Sequence, residues 1–596
     1  MNQIALATAW FLIIFTQLMG ILSVHEQSDR IGDQEALKSN TAAARSKRDG
    51  VITGQVFDED GRPLAGVQVM GYRIGTRDSL QFVNTDDGGN FKVAGLAPGL
   101  YAFEATSPGY VVAPDSIRPE VLRIGEHLMI RLIKGGVITG HVRDAQGELM
   151  VGIQVYARRL RNIEGRPVIQ GFHHQRLTDD RGVYRLYGLE PGVYVVSVNG
   201  GSGHYGGQKE MGVEKQTYYP SATLDTAVEI TLRSGEEISG IDIQHRGERG
   251  RAISGILAGG TGADGPGESS VVTLVDVNNR QIIQATYLHS TNRFAFFGVS
   301  NGEYVLFAQN HSGKDDSAGS VSSRVVVRGA DVVGVELKLI RYGSISGRIL
   351  FDSLKPDKAP VRCEGNDQFG IEEILVKAES DDRGRAKQNP FFNPHDYWGN
   401  WRGSFVSKQG EFTLKNLEAG RYRVEANLPG ENWYIRAINQ PAIGAAKKSS
   451  DVSHSGIAVK TGEKVAGIEV IIAEGAASLR GSVVPTNEVQ GKADSRLKSN
   501  LKVYMIPAEA YSAEDVLRYA ETIPGNDGSF EFKNLAPGKY LLITLPVPET
   551  ESAEIQPRPL AWDSIERTKL RREAEKSKNE IELQPCQRVK DYVLRY

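Results

Sequence analysis

Apolar and polar positions alternate with a period of two in short runs along most of the chain. From Tyr101 the same-face positions are Phe103 and Ala105; from Tyr194 they are Val196 and Val198; from Tyr422 they are Val424 and Ala426. Bulky groups on one side of a two-residue period predict strands with one buried face. A second set of strands reads the same way, with Phe91 and Val93 sharing a face, as do Phe530 and Phe532. Between such strands stand "GLAPGLY" (95–101), "GLEPGVY" (188–194) and "NLAPGKY" (534–540). Proline fixes one φ and glycine frees the next, which is the chemistry of a tight reversal. Each string is a predicted hairpin corner.

Two more copies lack the proline, "GVSNGEY" (298–304) and "NLEAGRY" (416–422). Upstream of all five lies a Gly-x-aromatic element: "GNFKV" (89–93), "GVYRL" (182–186), "NRFAF" (292–296, with Asn292 in place of Gly), "GEFTL" (410–414) and "GSFEF" (528–532). Ten residues separate that aromatic from the turn tyrosine in every copy. A fixed register of this kind marks an internal repeat.

Each repeat opens with a strand containing a central glycine: "VITGQVFD" (51–58), "VITGHVRD" (137–144), "AISGILA" (252–258), "SISGRIL" (344–350) and "SLRGSVV" (478–484). That glycine shares the parity of its apolar neighbours, and glycine weakens a strand unless something needs the space. Gly54, Gly140, Gly255, Gly347 and Gly481 are therefore expected to point inward, beneath a large side chain such as the turn tyrosine. Each repeat closes with strand, turn and strand, as in "VEITLRSGEEISGIDIQ" (228–244) and "GIAVKTGEKVAGIEVII" (456–472). The last copy of that pattern is "EIELQPCQRVKDYVLRY" (580–596), which makes 563–578 a helical insertion inside the fifth repeat; the alternative is a separate helical tail.

These elements predict an all-β chain of about five tandem β-sandwiches. The expected division is 49–134, 135–249, 250–341, 342–475 and 476–596. Connections of only a few residues, such as "RLIKGGVITG" (131–140), predict a semi-rigid chain of domains. Ahead of them, "IALATAWFLIIFTQLMGILSV" (4–24) is uncharged and mostly apolar, a signal peptide or signal anchor over 1–24. The first Lys or Arg is Arg30, and no clean A-x-A site follows. Residues 25–48 read as a flexible linker. Export to the periplasm, cell surface or exterior is expected, with any membrane contact confined to the N-terminal segment if it is uncleaved.

Composition changes this picture little. At 596 residues the chain is too long for one core, its 66 glycines suit a turn-rich β fold, and its net charge of −3 argues against nucleic acid as a partner. Two cysteines, Cys363 and Cys586, are too few for a disulfide scaffold, and a bridge between them would link distant domains; two free thiols are expected.

"ITGQVFDEDGRPLAGVQV" (52–69) together with "TDDGGNFKVAGLAPGLYAFEA" (85–105) resembles the carboxypeptidase regulatory-like domain. The second repeat keeps "TDDRGVYRLYGLEPGVYVVSV" (178–198), whereas repeats three to five keep the skeleton without D-x-x-G-x-P. The resemblance implies seven-stranded, transthyretin-like (Ig-like) sandwiches, often grouped with carbohydrate-binding-like folds. Tandem arrays of this kind, including "YYPSATLDTA" (218–227), are similar to exported proteins of environmental bacteria. The family name refers to a domain that accompanies peptidases and confers no peptidase activity by itself.

Catalytic chemistry finds little footing. The chain's one H-x-x-E, His245 to Glu248, lies in the predicted connector between repeats two and three, outside a helix or cleft that could shape a zinc site. Adjacent His173 and His174 do not converge and read as a solvated loop. The acidic turns "DEDG" (58–61), "TDDGG" (85–89) and "TDDRG" (178–182) invite calcium, but none continues into an EF-hand loop. Opening strands without an inward lysine argue against the internal Lys–Asn isopeptide bond of collagen-adhesin-type sandwiches. No cofactor and no metal site are expected.

The unusual segment is "NPFFNPHDYWGNWRG" (389–403), which gathers Phe391, Phe392, Tyr397, Trp398 and Trp401 among Asn, Gly and Pro. Such rings can stack on sugar faces while Asn, Asp and Arg bind hydroxyls; the plainer reading is that they cover a sandwich edge. In "GGSGHYGGQKEMGVEKQTYYPSA" (200–222), Tyr205, Tyr218 and Tyr219 read as structural. The sequence thus points to a non-catalytic, exported binding or spacer protein whose partner is a polysaccharide or an envelope protein. A protein scaffold is the alternative, and an accessory array of a metallocarboxypeptidase-type system is a third.

Overall fold

In the computed structural model the opening strand of the first unit, β1 (Val51–Phe57), sits centrally in its sheet. It pairs antiparallel with β4 (Asn90–Ala94) and parallel with β8 (His127–Lys134), while the short β6 (Tyr110–Val112) lies beyond β8. The facing sheet runs β3 (Leu80–Asn84), β2 (Gln68–Arg73), β5 (Leu100–Thr106), β7 (Leu122–Arg123). Strict alternation along β1 and β4 places Ile52, Val56, Phe91 and Val93 between the sheets. The structure describes residues 50–74, 80–113, 122–163, 166–198, 213–259, 270–278, 282–288, 291–310, 318–352, 363, 369–380, 403–441, 449–485, 501–509, 513–525, 527–546, 560–577 and 579–595. The N-terminal apolar run and its linker lie outside them.

The same plan recurs four times more. In every unit the opening strand pairs antiparallel with the Gly-x-aromatic strand and parallel with the closing strand. Five buried clusters of aliphatic and aromatic side chains fill the sandwiches. In the third unit the strand Ala318–Ser320 pairs with both Gly302–Asn310 and Val332–Arg341, so the two sheets join into one of eight strands.

Repetition of the sequence has a local cause at the corner. The first residue of each turn string has positive φ: Gly95 (74°), Gly188 (70°), Gly298 (69°), Asn416 (58°) and Asn534 (55°). Only Gly and, at modest cost, Asn adopt that region readily, which explains why the strings begin with one or the other. The turn tyrosine is buried in all five units, and its hydroxyl donates to the carbonyl four residues back. The bonds are Tyr101 to Ala97 (2.6 Å), Tyr194 to Glu190 (2.7 Å), Tyr304 to Ser300 (3.0 Å), Tyr422 to Glu418 (2.9 Å) and Tyr540 to Ala536 (2.6 Å). This resembles the tyrosine corner of immunoglobulin-like sandwiches: a ring fills the core while its polar tip satisfies a turn carbonyl.

The five strand glycines do point inward, but beneath a different ring than the sequence indicates. Gly54, Gly140, Gly255, Gly347 and Gly481 stand opposite Phe91, Tyr184, Phe294, Phe412 and Phe530, the Gly-x-aromatic residues. A Cβ at Gly255, Gly347 or Gly481 would come within 2.7, 2.8 and 2.9 Å of that ring's Cζ. It would also overlap a carbonyl of the parallel closing strand: Leu128, Ile241, Val335, Ile468 and Tyr592 in the five units. In units three to five the closing strand's register shifts at the glycine, so its backbone bends into the space a side chain would fill.

Unit five carries the one α-helix among the described residues, α1 (Ser564–Ser577). Asp563 Oδ1 accepts from Glu566 N at 3.0 Å and caps its start. Arg567, Leu570 and Ala574 share the buried face, and Leu570 and Ala574 pack with Ile506, Leu541 and Leu560 on the outside of the sheet. Arg571 donates to the carbonyls of Pro507 (2.9 Å) and Ala508 (2.6 Å). The strands Glu580–Leu583 and Arg588–Arg595 then return to the sandwich, so the helix is an insertion and not a tail.

The cysteine expectation is corrected: Cys363 and Cys586 form a disulfide across 223 residues. Their separation in sequence hides that units four and five abut through 474–477. Cys586 lies in the turn between the last two strands and donates its N–H to Gly475 O (3.1 Å), while Cys363 N reaches Glu474 Oε1 (3.2 Å). Around the bridge, Asn534 donates to Gly430 O (2.7 Å) and Trp433 O (2.8 Å), and Arg588 donates to Glu431 O (2.8 Å).

Candidate functional site

The five aromatic residues singled out in unit four, Phe391, Phe392, Tyr397, Trp398 and Trp401, lie outside the described residues. Their anchors do not. The segment leaves the sheet after Leu375–Ser380 and returns at Gly403–Phe405, with Lys377 paired to Gly403 and Ser380 paired to Tyr422. Its upstream anchor, Ser380, therefore lies beside the tyrosine corner.

Beside those anchors, the outer face of the sheet meets unit five. Strand pairing sets Glu379 opposite Arg423 and Lys377 opposite Glu425, and all four side chains share the face turned away from the core. Arg423 is buried, donates to the carbonyls of Ser453 and His454 (2.7 Å to the latter), and stacks on Trp562 with Cζ 4.2 Å from the ring centroid. Trp562 belongs to the short 3-10 turn Leu560–Trp562 just before α1. It fits closely: a Cβ at Gly456 would meet Trp562 Cη2 at 3.1 Å. Glu379 is half-buried there; burial and the neighbouring Glu425 carboxyl push its pKa up to about 7. The buried indole N–H of Trp562 faces that carboxyl without reaching hydrogen-bond geometry with any acceptor. Sequence reasoning missed this cluster because its members come from two units and from opposite ends of the repeat pattern.

Other sequence candidates resolve as structure. His245 and Glu248 do not converge. His245 is buried, with Nε2 2.7 Å from Glu214 Oε2 and Nδ1 3.0 Å from Thr217 Oγ1, while Glu248 pairs with Lys215 at 3.0 Å. Backbone bonds Lys215 N to Glu248 O (2.8 Å) and Gly250 N to Val213 O (2.9 Å) close this ribbon at the junction of units two and three. His173 and His174 are corrected from loop to strand, within Arg166–Leu177, and His174 pairs with Ala157; its burial lowers its pKa. A cross-strand partner, invisible to local composition, is what holds His174. Tyr218 is buried and Tyr219 packs against the second core, in keeping with a structural role; Tyr205 lies outside the described residues.

In the acidic turns the leading carboxylate is committed to the backbone. Asp58 Oδ1 accepts from Asp60 N and Arg62 N (2.9 and 2.8 Å), Asp86 Oδ1 from Gly88 N and Asn90 N, and Asp179 Oδ1 from Arg181 N and Val183 N. Those bonds, Val183 N–H first, hold Asp179 below the ordinary carboxylate range. Among the described residues no group of three or more His, Cys, Asp or Glu could hold a metal ion. Nor is any helix among them long and apolar enough to cross a membrane. An open cleft of about 620 Å³ lies along unit one, lined by polar groups such as Asp86, Asn90, Lys92 and His127 together with Val83 and Phe91.

With this geometry in view, the class is a tandem array of all-β sandwiches. Residues 51–120 match the carboxypeptidase regulatory-like domain family, as the resemblance in the sequence implies. No curated protein matches the chain. Solved structures similar to it include the TIE protein of Bacillus anthracis, at 15% identity over 49% of this chain and 51% of that one, TM-score 0.13. Others are GBS52, the minor pilin of Streptococcus agalactiae (13%, 33% and 95%, TM-score 0.19), and the shaft pilin SpaA of Lactobacillus rhamnosus GG (15%, 33% and 96%, TM-score 0.15). The chain spans about half the length of the TIE protein structure.

Proposed function

We propose that this chain is an exported, non-catalytic array of five sandwiches, divided near 134/135, 249/250, 341/342 and 475/476, that binds or spaces at the bacterial envelope. The observation that most supports export is the Cys363–Cys586 bridge, since disulfides form and persist in oxidising compartments outside the cytoplasm. Support for a binding or spacing role comes from how polar groups are used. The carboxylates of the acidic turns and the buried His245 each serve a turn or a junction.

Polysaccharide is the ligand class we assign to the aromatic segment of unit four. Trp398 and Trp401 are the stacking platforms and Phe391, Phe392 and Tyr397 its flanks, because a sequence that gathers aromatic rings among Asn, Asp and Arg matches the amphipathic faces of sugars. A glycan-array screen of the chain beside a Trp398→Ala/Trp401→Ala variant tests this. Binding that disappears in the variant is expected. Binding that survives in the variant places the sugar site elsewhere in the chain, and no binding by either form transfers the role to an envelope protein partner.

A further inference from the structure

We propose that the seat of Trp562 on unit four is a pH-sensitive latch, closed while Glu379 and Glu425 share a proton and loosened when both ionise. The geometry makes the two carboxyls neighbours by construction. Glu379 lies opposite Arg423 and Glu425 opposite Lys377, so the acids sit diagonally on one sheet face. Trp562, from unit five, helps exclude water from this face. Two negative charges brought together under a ring repel one another and lose hydration; one shared proton relieves both costs.

Several charged groups lie on the elements around the pair. On the sheet they are Lys377, Arg421 and Arg423, and on the adjoining turn Asp451 and His454. From unit five come Asp563, Arg567, Glu514, Asp515 and Arg518. Most are already engaged. Arg567 is buried, donates to Leu560 O (3.0 Å) and lies 3.5 Å from Glu514; Arg421 bonds Ser455 O (3.1 Å). The Trp562 indole N–H and, after it, Arg423 favour ionised Glu379, but burial and Glu425 outweigh both, hence the raised value of about 7.

The sign follows from linkage. Undocked, the two acids regain water but stay neighbours on the sheet, so they release the shared proton below the docked value of about 7 though above the ordinary 4.5. Docking is therefore strongest while that proton is held and weakens as pH rises to about 7. The disulfide keeps the two units tethered throughout, so the opening is a hinge motion and not a separation.

Hydrogen exchange of the turn that carries Trp562, read at Asp563 N–H, which donates to Leu560 O, reports the latch in the full-length, disulfide-bonded protein; α1 is held to unit five's own sheet and should stay protected. After correction for intrinsic amide chemistry, opening of this turn should be about tenfold more frequent at about pH 8 than at about pH 5.5, a figure reduced for the partial exposure of Glu379. In Glu379→Gln, which imitates the protonated acid, that dependence should vanish. Glu425→Gln should flatten it as well and serves as the second test if the first variant perturbs unit four. Strand β1 of the first unit is the internal reference. No pH dependence in the wild type, or an unchanged dependence in both variants, would overturn the proposal.

Discussion

Replacing Gly255 with Ala puts one methyl group where two neighbours already sit. The added Cβ would overlap the Val335 carbonyl oxygen and lie 2.7 Å from Phe294 Cζ. The ring can turn aside; the carbonyl cannot move without loosening the parallel pairing of Arg251–Ala258 with Val332–Arg341. Overpacking of this kind costs about 1–3 kcal/mol. A loosened ladder bond adds roughly 1 kcal/mol, and the stiffer unfolded chain returns about 0.4–1 kcal/mol. The net loss should be about 2 kcal/mol, equivalent to roughly 30-fold faster exchange of amides in Arg251–Ala258 when opening is global for the unit. Native-state hydrogen exchange on the whole chain measures it unit by unit, which a single melting curve over five sandwiches cannot. The double variant Gly255→Ala/Phe294→Leu distinguishes the two obstacles. If shortening the ring restored wild-type protection, the ring and not the closing strand would be the reason for the glycine, and the reasoning here would be refuted.

Other outcomes follow from the same geometry. Tyr194→Phe leaves the Glu190 carbonyl without its buried donor and should cost unit two about 1–2 kcal/mol by denaturant titration. Burial lifts the Tyr194 hydroxyl to about 12 against an ordinary 10, so wild-type stability should be flat below pH 10 and fall between 10 and 12, a decline absent from the Phe variant at that site. Glu214→Ala removes the carboxylate partner of buried His245 and should weaken the junction of units two and three by about 1–3 kcal/mol, read as faster limited proteolysis near residues 245–250. Because the turn carboxylates of Asp58, Asp86 and Asp179 are committed to backbone N–H groups, adding calcium or a chelator should move Tm by less than about 1 °C; a larger shift would indicate a site these turns do form.

Much of the fold was legible because it is local and repeated. The two-residue alternation through Tyr101 and Phe91, the fixed spacing between them and the shared glycine of the opening strand all report a strand's own face and register. The inward direction of Gly54 and its four counterparts followed from parity alone. What occupies the space did not, since the ring of Phe91 and the carbonyl of Leu128 reach it through pairings between strands remote in sequence. The disulfide was hidden for the same reason on a larger scale: no pattern within a repeat says that the closing turn of unit five returns to the boundary with unit four. His174 looked like loop because its local composition is polar, whereas the partner strand that orders it begins at Gln154. The acidic cluster at Glu379 needed both kinds of knowledge, a strand register and a contact between units.

Export and the joining of units four and five meet in one measurement: the thiol state of Cys363 and Cys586 in protein recovered from outside the cytoplasm. Peptide mass mapping under non-reducing, alkylating conditions should find no alkylated cysteine and a single cross-linked species containing both residues. Two alkylated thiols in natively folded, exported protein would contradict the account, removing the covalent tie between units four and five and the main support for an oxidising destination.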